Sequence, residues 1–215
     1  MLDDSLAIEL GIRANAAVEI VTSAGTIRVP SGTLEEIRVG AARMSRFRVS
    51  WMRLDALRRD DPRIMGVLGQ DFLSGHTLVI DYRHRGVQLS SDACPSEDGD
   101  FEVAWAMHRP TIAARVQGPG VARAGRFVLD SAANALLLFA VLPTHGQAVA
   151  INTHQATVSA VVLPRVSIEL GGVWRTAPAT VVSPTVSREE IGLVPTSWFS
   201  RVCIDGPRSR AWLRF

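Results

Sequence analysis

The sequence predicts an all-β protein of two similar lobes around a cleft. Three observations carry that expectation. Most segments are short runs of Val, Ile, Leu and Thr broken by Gly, Pro and Ser, with few helical stretches. The same order of segments occurs twice along the chain. Between the two copies, residues 91–100 are polar, acidic and rich in turn formers, which reads as a linker. The expected division is a first lobe over 1–90, a linker over 91–100 and a second lobe over 101–215.

In chain order, residues 5–10 form a helix candidate, with Asp3 or Asp4 as N-cap and Gly11 as stop signal. A hairpin candidate over residues 20–29 is closed by Pro30. Strands over 36–40 and 47–51 follow, the latter alternating in polarity. Next come the Gly-rich segment 64–73, a strand over 78–82, a turn, and a strand over 87–89. The second half repeats this order, with strands over 149–153 and 167–172, a Gly-containing segment over 191–199, a strand over 202–205, a Gly-Pro turn and a strand over 211–213. Gly40 then corresponds to Gly171, Gly66 to Gly192, and Asp81 to Asp205.

Composition narrows the function. The chain has 215 residues, 47% apolar and 20% charged, enough for a sizeable core and unlike a disordered chain. A net charge of +2 is too small to suggest a nucleic-acid or membrane partner. All 23 basic residues are arginine, as in the coding bias of a GC-rich bacterial genome. The most apolar run, residues 135–142, is too short to span a bilayer. Cys94 and Cys203 have no metal-site spacing. Cys203, inside an apolar strand, reads as a small buried hydrophobe, and the redox compartment stays open.

Chemistry concentrates at Arg126-Phe127-Val128-Leu129-Asp130-Ser131-Ala132-Ala133. An apolar strand runs into an aspartate followed by short side chains, so a buried element fixes the carboxylate while backbone N–H groups can approach it. Such a carboxylate is most useful opposite a second one. Two carboxylates a few ångström apart share one proton, which makes one the base and the other the acid.

Three segments resemble the aspartic protease family, in particular its bacterial retropepsin-like and two-lobe pepsin-like members. Gly66-Val67-Leu68-Gly69-Gln70-Asp71-Phe72-Leu73, followed by Val79-Ile80-Asp81-Tyr82, is similar to the family's end-of-lobe signature. Residues 127–133 are similar to the strand and active-site loop of a second lobe, where the family has Asp-Thr-Gly or Asp-Ser-Gly. Residues 191–199 repeat the end-of-lobe segment. The resemblance implies an aspartic-type endopeptidase that needs no cofactor or metal and acts on a peptide or protein substrate through an aspartate dyad. Asp130 is one member, and Ser131 corresponds to the residue that locks the two active-site loops together. The hairpin around Ser23, Ala24, Gly25 and Thr26 corresponds to a flap over the substrate. Tyr82 is the only tyrosine, so this flap is more similar to the retroviral type.

Two departures from the family pattern stand out. Ala132 replaces the glycine after Asp-Ser, and its Cβ crowds the place where a substrate or the partner loop approaches. Asp130 stands 41 residues before Gly171, and the same interval counted back from Gly40 passes Met1. The first catalytic aspartate is therefore expected upstream of this sequence. A homodimer that brings two Asp130 residues together is the other way to complete the dyad. Without either, the chain is an inactive pseudoprotease that binds extended peptides in the interlobe cleft, or a structural β-barrel that shares only the fold.

The remaining candidates have simpler readings. Asp71 reads as a surface or helix-capping residue, and Asp81 and Asp205 as structural strand ends. Gly118, Gly120 and Gly125 read as a hairpin feeding the Asp130 strand, since no phosphate-loop order accompanies them. Arg46, Arg48 and Arg53 read as a solvated strand face. The five histidines lack metal-ligand spacing, and no serine stands in a Gly-x-Ser-x-Gly elbow.

Overall fold

The chain is all-β, with 60% of residues in strands and 9% in helices. The computed structural model describes all residues except 23–24, 95–100, 107–108, 153–156 and 185–186. Sixteen strands occur among the described residues.

The first half opens with β1 (Leu2–Asp3) and the short helix α1 (Asp4–Glu9). Asp3 is the N-cap, accepting the Ser5 N–H, and Gly11 lies just past the helix with φ of 63°. A left-handed residue there ends the helix, as glycine allows. Strands β2 (Ala16–Thr22), β3 (Gly25–Val39) and β4 (Ala42–Met52) form an antiparallel meander, and β1 runs parallel to β4 on its far side. The hairpin and the next strand, expected as separate elements, are one 15-residue strand β3. It pairs with β2 as far as Ser31 and with β4 from Ser31 onward. Pro30, which has no N–H to donate, sits next to that change of partners rather than ending the strand. The core here is small: Ala42, Phe47, Val49 and Phe72, with the Phe47 and Phe72 rings edge to face at 6.0 Å. The one-turn helices α2 (Asp55–Asp60) and α3 (Gln70–Leu73) follow, and α2 has no signal in the sequence reading.

The second half contains a closed barrel. Strands β8 (Arg109–Gly118), β9 (Val121–Asp130), β10 (Leu136–Phe139), β12 (Thr157–Leu170), β13 (Val173–Val182) and β14 (Gly192–Pro195) pair in the circular order β8-β9-β14-β10-β13-β12. The β12–β8 pairing, Ser167 opposite Gln117 to Leu170 opposite Ala114, closes the ring and leaves no free edge in it. β11 (Gln147–Asn152) flanks β12. Phe127, Leu136, Val166, Ile168, Val181 and Val194 are almost wholly enclosed.

A five-stranded antiparallel sheet joins the halves: β7 (Phe101–Ala106), β16 (Arg210–Arg214), β15 (Arg201–Asp205), β5 (Thr77–Asp81) and β6 (Gly86–Ser90). β15, near the end of the chain, therefore pairs with β5, which precedes the connector. Cys203 of β15 is bonded to Cys94, with Cα atoms 5.9 Å apart. Cys203 is buried, as its reading as a small buried hydrophobe expects, and the bond adds a partner that spacing alone could not show because the two are 109 residues apart. Among the described residues, no helix is long and apolar enough to cross a membrane.

The pairing pattern of β2-β3-β4-β1 matches that of β11-β12-β13-β10, including a final parallel pair in each. Gly40 and Gly171 stand in the corresponding hairpin turns with φ of 60° and 57°. Leu2 faces Gly66 as Leu138 faces Gly192, both antiparallel.

Candidate active site

Asp130 is the last residue of β9, a strand held between β8 and β14. Phe127, Val128 and Leu129 are buried, so the barrel core anchors the strand and its end emerges with the half-buried carboxylate. Beside Asp130 in β14 stands Pro195, which ends that parallel ladder. Asp130 Oδ1 accepts the Ala132 N–H at 2.8 Å, closing a turn that fixes one carboxylate oxygen. Ser131 and Ala132 are exposed beyond it.

These residues line a cleft of about 440 Å³ to which both halves contribute. From the first half come Val21, Val67, Leu68, Gly69 and Gln70. From the second come Asp130, Ser131, Ala132, Arg109, Arg188 and Glu190, among others. The structure thus brings three of the sequence-derived candidates, Asp130, Ser131 and Ala132, into one cavity. Of the flap candidates, Ser23 and Ala24 lie outside the described residues. Gly25 is half-buried and Thr26 is exposed at the start of β3, and neither lines the cleft. The hairpin reaches the cleft through Val21 instead.

Segment 65–69 takes the place in the first half that 191–195 takes in the second. Met65 O accepts the Asp3 N–H at 2.8 Å as Ile191 O accepts the Phe139 N–H at 2.9 Å. β14, however, has a neighbour on each side, β10 and β9. Among the described residues Gly66 pairs with Leu2 alone, and no strand occupies the position that β9 has beside β14. An apolar cavity of about 250 Å³ lies against the segment, lined by Ile37, Val39, Phe47 and Val49. Val67, Leu68 and Gly69 border both this cavity and the cleft. Because β1 corresponds to β10, which follows the Asp130 loop, no described residue of the first half occupies the position equivalent to Asp130.

Asp3 and Asp4 do not fill that role. Asp3 is buried and accepts hydrogen bonds from the Ser5 hydroxyl and N–H, the Leu54 N–H at 2.9 Å and Arg58 at 3.1 Å. The Ser5 hydroxyl above all, then the Leu54 N–H, pushes its pKa down to about 2, against the opposing effect of burial. It is a clamp between α1 and α2. Asp71 accepts the Phe72 N–H in the first turn of α3. Asp81 accepts the His84 N–H and ring nitrogen, and buried Asp205 holds Arg208, each at a strand end. Arg46, Arg48 and Arg53 are exposed.

Sequence reasoning missed the charged cluster in the cleft. Glu190 is buried, with Oε1 3.0 Å from Arg188 and 3.8 Å from Arg109. Arg188 also stacks over the Phe139 ring, 4.4 Å from its centre. An acidic residue next to the apolar Ile191-Gly192-Leu193 segment was the available signal, since a carboxylate beside a buried strand needs a cationic partner.

Residues 1–72 match a family model described as "Aspartyl protease". No curated protein matches the chain.

Proposed function

We propose that the chain, whose residues 1–72 match the aspartyl protease family model, is a retropepsin-like aspartic endopeptidase whose catalytic dyad includes Asp130. The lobes are residues 1–90 and 101–215, repeats of one plan, and the cleft between them takes an extended peptide. The observation that carries this reading is the vacant strand position beside residues 65–69. In the second half, the strand in that position is the one that delivers Asp130. A strand laid parallel along 66–69 in the same register would set its last residue level with Gly69, which borders the cleft with Asp130. An aspartate there would complete the dyad.

The chemistry then follows from two carboxylates around one water. The ionised carboxylate takes the water's proton as the oxygen attacks the scissile carbonyl. The protonated one hydrogen-bonds that carbonyl and then supplies the leaving nitrogen with a proton. The Ala132 N–H holds one Asp130 oxygen and leaves the other for the water. The hairpin β2–β3 covers the bound peptide and excludes solvent.

A second reading, a pseudoprotease that binds extended peptides without cutting them, is favoured by one observation. The other acidic residue lining the cleft, Glu190, is already engaged by Arg188 and Arg109. Cleavage of a mixed peptide library at acid and neutral pH decides between them. Cleavage that falls at least about 10³-fold in Asp130→Asn supports the dyad. Cleavage that survives Asp130→Asn refutes it, and peptide binding without cleavage supports the second reading.

A further inference from the structure

The charged groups of the cleft are unevenly committed. Two guanidinium groups, Arg109 and Arg188, converge on the same Glu190 oxygen. Arg188 is 3.0 Å from it, 14% exposed and stacked on Phe139, so its position is fixed by packing as well as charge. Arg109 is 38% exposed and 3.8 Å from that oxygen, beyond hydrogen-bond distance. A loose, solvated ion pair of this kind contributes little, and the five N–H donors of the fork have capacity for another acceptor. Asp130 and Glu190 balance Arg109 and Arg188 in the cleft, so it is the loose geometry of Arg109 that leaves it open to an acceptor.

Arg109 stands near Asp130. The β8–β9 ladder ends with Thr111 opposite Val128, and Arg109 and Asp130, each two residues beyond that pair, line the same cleft. A peptide held with a backbone carbonyl at Asp130 therefore has a neighbouring group within the reach of Arg109. A carboxylate suits that position, because it would accept the planar fork in two parallel hydrogen bonds that the long contact with Glu190 does not supply.

We propose that Arg109 is the specificity-determining residue of the cleft and binds a carboxylate of the extended peptide, from an acidic side chain or a chain terminus, next to Asp130. This rests on the reading of the cleft as a peptide site. Arg188 and Glu190 hold the charge balance around it, and Arg109 exchanges its long contact with Glu190 for the incoming carboxylate.

The test is fluorescence anisotropy with labelled extended peptides in the Asp130→Asn background, so that no cleavage intervenes. Each Glu-containing peptide is paired with its Gln counterpart, and each C-terminal acid with its amide. The expected result is binding at least about 10-fold tighter for one carboxylate form, and which pair discriminates identifies the source. Arg109→Gln should bring that pair within about 2-fold, while Arg109→Lys, which keeps the charge but loses the fork, should retain part of the preference. Thermal melts confirm that the variants fold, and Arg109→Lys serves if Arg109→Gln does not. Equal binding of both forms overturns the assignment to Arg109 but leaves the peptide cleft standing, as does a preference that survives Arg109→Gln. Failure of every peptide to bind overturns both.

Discussion

Breaking the Cys94–Cys203 bond should cost most of the protein's margin of stability. The bond closes a loop of 109 residues that contains the whole closed barrel. In the chain-entropy model, restricting a loop of that length in the unfolded state is worth about 4.8 kcal/mol at 25 °C. The folded state should lose little, because β15 is hydrogen-bonded on both sides, to β5 and β16, with or without the bond. Cys94→Ala is the better variant, since Cys203 lies in β15 and its truncation would also open a core cavity. Urea unfolding of the oxidised protein, the reduced protein and Cys94→Ala should show the last two alike. Their midpoints should fall about 1.6 M below the oxidised protein for a slope of about 3 kcal/mol/M, the upper end of the usual range. A loss below about 1 kcal/mol with the bond shown intact by mass spectrometry would refute the loop-entropy argument. Two alkylatable thiols in the unreduced native protein would refute the bond itself. The bond also bears on where the protein works, because disulfides of this kind persist in oxidising compartments.

Two further outcomes are expected. A Cβ at Gly192 would lie 2.2 Å from the Leu137 carbonyl and 2.5 Å from the Phe127 ring, both fixed in the barrel, whereas one at Gly66 would meet the Met1 carbonyl at 2.9 Å. Gly192→Ala should therefore cost about 3 kcal/mol or more and Gly66→Ala about 1–2 kcal/mol by urea unfolding, and the reverse order would contradict the threading of β14. Asp3, with its folded pKa pushed down to about 2, contributes stability that is fully present above the unfolded carboxylate range and is lost as pH falls through about 2. Asp3→Asn should lower stability at neutral pH by about 1–2 kcal/mol and flatten the decline between about pH 4 and pH 2. An unchanged acid limb in Asp3→Asn would mean that Asp3 is not the clamp between α1 and α2.

Much of this protein was legible because its information is local. Alternating apolar residues announced the strands, Gly40 and Gly171 announced two hairpin turns, and Asp3 and Gly11 bounded α1. The strand into Asp130 was legible for the same reason, since three apolar residues followed by Asp-Ser-Ala describe a buried strand that ends at a surface. Where local signals conflicted, pairing partners decided. Pro30 reads as a stop in sequence, yet β3 runs through it because β2 and β4 take over from one another there.

What only the tertiary structure decided depends on residues far apart in the chain. The Cys94–Cys203 bond, the closure of the barrel through β12 and β8, and the pairing of β15 with β5 each join segments whose separate sequences carry no mark of the other. The same holds for Arg109, Arg188 and Glu190, which look like ordinary surface charges until β8 and the approach to β14 bring them together beside Asp130. The sequence by itself determined an all-β chain and the strand that carries the Asp130 carboxylate, because backbone preference and burial act over a few residues. The tertiary structure decided what surrounds that carboxylate, because charge neutralisation and strand pairing act between neighbours in space.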